Sequence, residues 1–152
     1  MSVQDLDSTV KALVAEGKGI LATDETVPTV TKRLNALHIE STPDSRRTYR
    51  EMFFTTPGAA EFISGVIVYD ETIRQKSSSG IPLAEVLLKQ GIIPGIKVDT
   101  GAKPLAGSLE ETVTEGLDGL RDRLREYRGM GAGFAKWRAV IRITDTLPSV
   151  TC

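Results

Sequence analysis

The chain has 152 residues and a mass of 16.5 kDa, which is room for one ordinary domain. Apolar residues make up 40% and charged residues 26%, a balance that supports a core and excludes extended disorder. With 19 Lys and Arg against 20 Asp and Glu, the formal net charge of -1 gives no global field that would draw the protein to nucleic acid or a membrane surface, so any basic site must be local.

Val3, Leu6, Val10, Leu13 and Val14 fall on one helical stripe that ends at Gly17. The first ten residues lack the basic start and apolar stretch of a signal peptide, and no apolar run approaches the ~20 residues that span a bilayer. A strand is expected over 19–23 and a short helix over 29–37. Thr42 followed by Pro43 places a capping hydroxyl before proline at the first helical position, opening a helix that carries Tyr49, Met52 and Phe53. The run 63–69 reads as a second strand and Pro82 to Lys89 as a helix closed by Gly91. Residues 92–99 form a third strand, in which Pro94 must sit where no ladder donor is needed. Leu117, Leu120, Leu124 and Tyr127 mark an amphipathic helix with Arg121, Arg123 and Arg125 directed mainly to water, and Gly129, Gly131 and Gly133 break it. Residues 134–143 read as a fourth strand, and Leu147-Pro148-Ser149 as the opening of a further helix that is left unfinished. Helix-period stretches alternating with short β-branched runs predict an α/β protein with a parallel sheet, whose fourth strand lacks a covering helix and keeps edge groups unpaired. The single cysteine, Cys152, cannot form an internal disulfide, which fits the reduced cytosol.

Positions two apart on a strand share a face, so Lys136 and Arg138 point one way and Trp137 the other, among the apolar neighbours Phe134, Ala135, Ala139 and Val140. Two cations about 6 to 7 Å apart in a poorly solvated setting repel each other and ask for an anion. Either one alone could instead reach the surface from the strand end. Lys97, with Asp99 two residues on, is again ionisable within an apolar strand, and Asp24 lies at the C-terminal tip of the first strand. Sites of parallel α/β folds are built at those tips. Asp24, Lys97, Lys136 and Arg138 therefore form a constellation of one carboxylate and three cations suited to a phosphorylated or otherwise anionic substrate, with the acid able to take a hydroxyl proton.

Thr26 and Thr29 stand at the start of a helix, where hydroxyls and free amides can bind phosphate; Thr29 serves equally as an N-cap. Lys32 and Arg33 complete such a site or form a solvated helix face. His38 reads as a surface residue near a helix end, and one histidine with one distant cysteine makes no metal pattern. The glycines of 129–134 precede a strand and form a turn, not a nucleotide loop. Asp70 and Glu71 read as solvated or capping residues, and Arg46, Arg47 and Arg50 as a helix surface or inter-element ion pairs, not a nucleic-acid patch.

The blocks GKGILATDET (17–26), KRL (32–34), RRTYRE (46–51), ISGVIVYDET (63–72), GIIPGIKVDTG (91–101), EGLDGLRDR (115–123) and GAGFAKWRAV (131–140) resemble, in order and over nearly the whole chain, class I fructose-bisphosphate aldolase. The resemblance implies a (β/α)8 TIM barrel, of which 152 residues supply the first four strand-helix units without the final helix as a single truncated domain. It implies a cytoplasmic carbon-carbon lyase of glycolysis and gluconeogenesis that reversibly cleaves fructose 1,6-bisphosphate to dihydroxyacetone phosphate and glyceraldehyde 3-phosphate through a Schiff base, with neither metal nor cofactor. By the same resemblance Asp24 handles the C4 hydroxyl, Lys136 assists carbinolamine and proton steps, and Lys97 and Arg138 contact substrate hydroxyls and phosphate. Thr26 and Thr29 stand where many members carry phosphate-binding serines, beside Lys32 and Arg33; here threonine replaces serine and Val27-Pro28 intervenes.

The family's Schiff-base lysine belongs to a sixth strand and its paired glutamates follow the fifth, so the 152 residues alone are expected to be inactive or nearly so. An alternative is a non-catalytic half-barrel that binds phosphosugars or pairs with itself or with a complementary half-barrel. A third reading has Lys136 itself form the imine.

Overall fold

The computed structural model describes residues 3–152. In chain order they form α1 (Val3–Leu13), β1 (Gly19–Thr23), α2 (Val27–Ala36), α3 (Pro43–Phe54), α4 (Ala59–Phe62), β2 (Ile63–Val68) and α5 (Asp70–Arg74). Then come α6 (Leu83–Leu88), β3 (Ile93–Lys97), β4 (Gly101–Pro104), β5 (Thr112–Glu115), α7 (Leu120–Gly129) and β6 (Phe134–Lys136). The apolar runs pair side by side into one parallel sheet in the order β1-β2-β3-β6, while β4 and β5 make a separate antiparallel hairpin. The expected α/β architecture with a parallel sheet is present.

Register separates the sheet's two faces. Val66 and Val68 of β2 align with buried Pro94 and with Ile96 of β3, and Val66, Val68 and Ile96 join Phe54, Ile73, Leu83, Leu87 and Tyr127 in the core that the helices cover. The opposite face carries Gly65 and Gly95, and the ring of Phe134 lies over both of them. A Cβ at Gly65 would also come within 2.7 Å of Leu13 Cδ2, so glycine here makes room for α1 and Phe134 together. Pro94 is accommodated at the start of the β3–β6 ladder, where its carbonyl accepts from Gly133 N at 2.8 Å just before β6 begins.

Helix α3 starts where the Thr42-Pro43 signal puts it. Thr42 Oγ1 accepts from Ser45 N at 3.1 Å and Ser45 Oγ accepts from Thr42 N at 2.9 Å, a reciprocal capping box. Helix α2 begins two residues before the expected Thr29, because Pro28 sits comfortably in a first turn whose amides need no partner. Thr26 is the N-cap, without a side-chain cap bond, and Thr29 Oγ1 lies 3.1 Å from Thr26 Oγ1 instead of capping. The α1 stripe forms a helix, yet Leu6, Val10 and Val14 stay exposed and Leu13 carries its packing; the side chain of Val3 lies outside the described residues.

Four expectations are corrected. The fourth strand is three residues long, not ten, because β3 ends at Lys97 and side chains then replace the ladder: Arg138 N donates to Asp99 Oδ2 at 3.1 Å and Thr114 Oγ1 donates to the Arg138 carbonyl at 2.9 Å. Ala135, Arg138, Ala139 and Val140 are accordingly exposed and not the lining of a buried strand. Residues 147–149 are irregular in place of a helix, with Thr144 N donating to the Leu147 carbonyl at 3.0 Å and Ser149 N to Glu111 Oε1 at 2.8 Å. Arg123 is half-buried and not directed mainly to water: its guanidinium donates to the Val98 carbonyl at 3.0 Å and to the Gly116 carbonyl, clamping α7 to the end of β3. Gly116 belongs to the same clamp, with φ +129 and room for no Cβ, since one would fall 2.9 Å from Thr100 N.

Candidate functional site at the C-terminal rim of the sheet

Lys97 and Lys136 are the last residues of β3 and β6 and are aligned Cα to Cα, so both side chains leave the glycine-bearing face at the C-terminal rim. Asp24 directly follows β1. The ammonium of Lys136 contacts Asp24 Oδ2, although β6 and β1 are opposite edges of the sheet. In a flat sheet, strands about 4.8 Å apart would hold those edges ~14 Å apart, beyond the reach of one lysine and one aspartate. The sheet is therefore curled, and its concave side gathers the ionisable groups.

Lys97 is mostly buried and contacts Asp99 Oδ1, donating also to the Asp99 carbonyl at 2.8 Å. The other carboxylate oxygen of Asp99 takes the Arg138 amide. Burial pushes the Asp99 carboxyl up. The Lys97 ammonium, the Arg138 amide and the charge of Lys136 outweigh that and hold it below the usual carboxylate value. Beside this pair is a cavity of about 230 Å³ lined by Thr26, Tyr69, Lys97, Asp99 and Arg138, among others. Its lining carries two cations and one carboxylate, with two threonines, Thr26 and Thr100, and the tyrosine.

The structure thus brings together Asp24, Lys97, Lys136, Arg138 and Thr26, and Thr29 touches Thr26 at the rim. It does not bring in Lys32, which is exposed on α2 and does not line the cavity. Arg33 is also taken elsewhere: its guanidinium contacts Glu25 Oε1 and donates to the Tyr49 hydroxyl at 3.3 Å. Neither offers a ready phosphate ligand in this arrangement. Asp70 is tied to Arg74 and to the Tyr127 hydroxyl, and Glu71 forms a two-pronged pair with buried Arg46, so both serve packing between helices.

Sequence reasoning passed over Asp99 as the counter-charge, although its spacing of two from Lys97 was the available signal. It also passed over Tyr69, and over the link from Glu25 to Arg50, for which no local signal exists. Arg50 Nη2 donates to the Glu25 carbonyl at 2.6 Å and Nη1 donates to Thr72 Oγ1 at 2.9 Å. Burial pushes the Arg50 guanidinium down and the Glu25 and Glu71 carboxylates oppose that. Among the described residues no group of three or more His, Cys, Asp or Glu could hold a metal ion, and no helix is long and apolar enough to cross a membrane.

A rim with two cations facing a small cavity and a carboxylate paired to a third cation can hold an anionic ligand and move a proton at a hydroxyl. Comparisons with known proteins identify the family. A relative from Xanthomonas campestris pv. campestris, "Probable fructose-bisphosphate aldolase class 1", is 57% identical over 152 residues, matching 100% of this chain and 46% of its own length. "Fructose-bisphosphate aldolase 6, cytosolic" of Arabidopsis thaliana is 53% identical over 133 residues, 88% of this chain and 37% of the relative. Among solved structures, the fructose-bisphosphate aldolase of Plasmodium falciparum, crystallised with TRAP and a small-molecule inhibitor, superposes with a TM-score of 0.93 at 43% identity, over 97% of this chain and 43% of that one. The chain thus spans under half the length of these relatives. The family model for glycolytic class-I fructose-bisphosphate aldolase matches residues 5–152, and the chain belongs to that family.

Proposed function

We propose that these residues are the first half of a (β/α)8 aldolase barrel, four strand-helix units without the last helix, and that they contribute the substrate-holding side of a fructose 1,6-bisphosphate aldolase site. The observation that carries this reading is the convergence of Asp24, Lys97, Lys136 and Arg138 at one rim of a curled parallel sheet. Lys97 and Arg138, with the Thr26 hydroxyl, hold a phosphorylated sugar in the cavity. Asp24 accepts the C4 hydroxyl proton as the C3–C4 bond breaks, and Lys136, in contact with it, balances the charge and relays protons. The electrons of the breaking bond need an imine at C2, which the family makes on a lysine with no counterpart in these 152 residues. The 152 residues alone therefore bind without turnover. The cytosolic relative supports a cytoplasmic site of action.

Titration calorimetry with fructose 1,6-bisphosphate tests binding. Measurable heat that falls by about 10- to 100-fold in affinity for Lys97→Met supports the reading, since hydrogen bonds to a charged group contribute about 1.5–3 kcal/mol. An affinity indifferent to Lys97 and Arg138 overturns it. A second reading rests on β1 and β6 being edges without a ladder partner among the described residues: the sheet is completed by pairing with itself or with a complementary half-barrel. Light scattering on the purified chain decides this, a monomer at all concentrations excluding self-pairing.

A further inference from the structure

Arg50 is fully buried in α3, outside the cavity, yet it is bonded to the segment that presents Asp24. On one side of Asp24, Thr23 Oγ1 donates to the Ile67 carbonyl of β2 at 2.9 Å. On the other, Arg50 Nη2 donates to the Glu25 carbonyl at 2.6 Å, and the guanidinium lies 3.6 Å from Glu25 Oε2. Its second prong, Nη1, is fixed on Thr72 Oγ1 of α5 at 2.9 Å. The backbone that turns away from β1 is thus pinned immediately before and after Asp24. A buried guanidinium with an unpartnered Nε is a poor way to fill a core, since a well-packed apolar side chain of similar volume serves stability as well or better.

We infer that Arg50 is a positioning residue: by fixing the carbonyl after Asp24 it sets where the Asp24 carboxylate meets Lys136. For turnover, though not for the geometry, this rests on the aldolase reading above. Loss of the pin lets the carboxylate drift, and a drift of about 1 Å is enough to cost ~100-fold in a proton-transfer step.

The test compares Arg50→Gln, Arg50→Lys and Thr72→Val in the full-length gene product. The first readout is the 13Cε and 15Nζ resonance of Lys136, assigned with Lys136→Arg and calibrated with Asp24→Asn. Arg50→Gln should move it in the same direction as Asp24→Asn, and should move it no further in the Asp24→Asn background. The second readout is fructose bisphosphate cleavage, where kcat should fall about 10- to 100-fold with KM unchanged, and Arg50→Lys should recover part of the loss. A folded Arg50→Gln with the parent's Lys136 resonance overturns the inference, as does a loss of kcat that persists undiminished in the Asp24→Asn background. Should Arg50→Gln fail to fold, Thr72→Val must give a smaller displacement of the same sign, and none refutes the role. A parent protein without turnover removes the aldolase reading alone, because the Lys136 resonance still decides the part played by Arg50.

Discussion

Replacing Gly95 by alanine drives a methyl group into the ring of Phe134. The added Cβ would meet ring atoms Cζ, Cε2 and Cε1, all inside the 3.0 Å that real Cβ contacts keep, so the ring or strand β6 has to move. Overpacking of this kind costs about 1–3 kcal/mol, against which alanine regains about 0.5–1 kcal/mol of the backbone entropy that glycine loses in a strand. The net expectation is a loss of about 1–2 kcal/mol. Phe134 is half-buried, so truncating it to alanine should cost about 2 kcal/mol, roughly half the value for a fully buried ring. In the double variant the clash no longer exists, and the combined loss should fall short of additivity by about 1–2 kcal/mol. Urea unfolding reads each step as a midpoint shift at constant slope, about 0.5–1 M for Gly95→Ala at a slope of ~2 kcal/mol/M. A Gly95→Ala protein as stable as the parent, or a strictly additive double variant, would refute the claim that the ring occupies the space that glycine leaves.

Two further outcomes are expected. The folded-state pKa of Asp99 is depressed by Lys97 and the Arg138 amide, so its contribution to stability is present above the unfolded value of about 3.9 and is lost as pH falls through the lower folded value. Thermal unfolding of Asp99→Asn across pH should therefore show a deficit at neutral pH that closes in acid, and a deficit constant down to the most acid pH would count against the ion pair. Removing the capping box with Thr42→Ala should cost about 1 kcal/mol, seen as a drop in Tm of about 2–4 °C, while Glu40→Ala, an exposed position that leaves that box intact, serves as the control.

The sequence alone was enough for the elements whose causes are local. Gly19–Thr23, Ile63–Val68 and Ile93–Lys97 are runs of apolar and small residues between turn signals, and they pair as strands; Thr42-Pro43 opens α3 because its capping box acts between residues three apart, and Pro82 precedes α6 because its fixed φ suits a helix start. Tertiary structure decided what depends on distant partners. Residues 134–143 carry strand composition throughout, but only three pair, since a parallel ladder lasts as long as its neighbour and β3 turns away after Lys97. Arg123 reads as a solvent-facing arginine of a helix and becomes a clamp because two carbonyls from other segments lie beside it. The short hairpin of β4 and β5 has no pattern strong enough to announce it. Strand parity put Lys97 and Lys136 on a shared face from the sequence, whereas the contact of Lys136 with Asp24, 112 residues away, required the curl of the whole sheet. Periodicity records which face a side chain takes; only the closed chain sets which charges meet, because that distance is the sum of every strand spacing and twist between them.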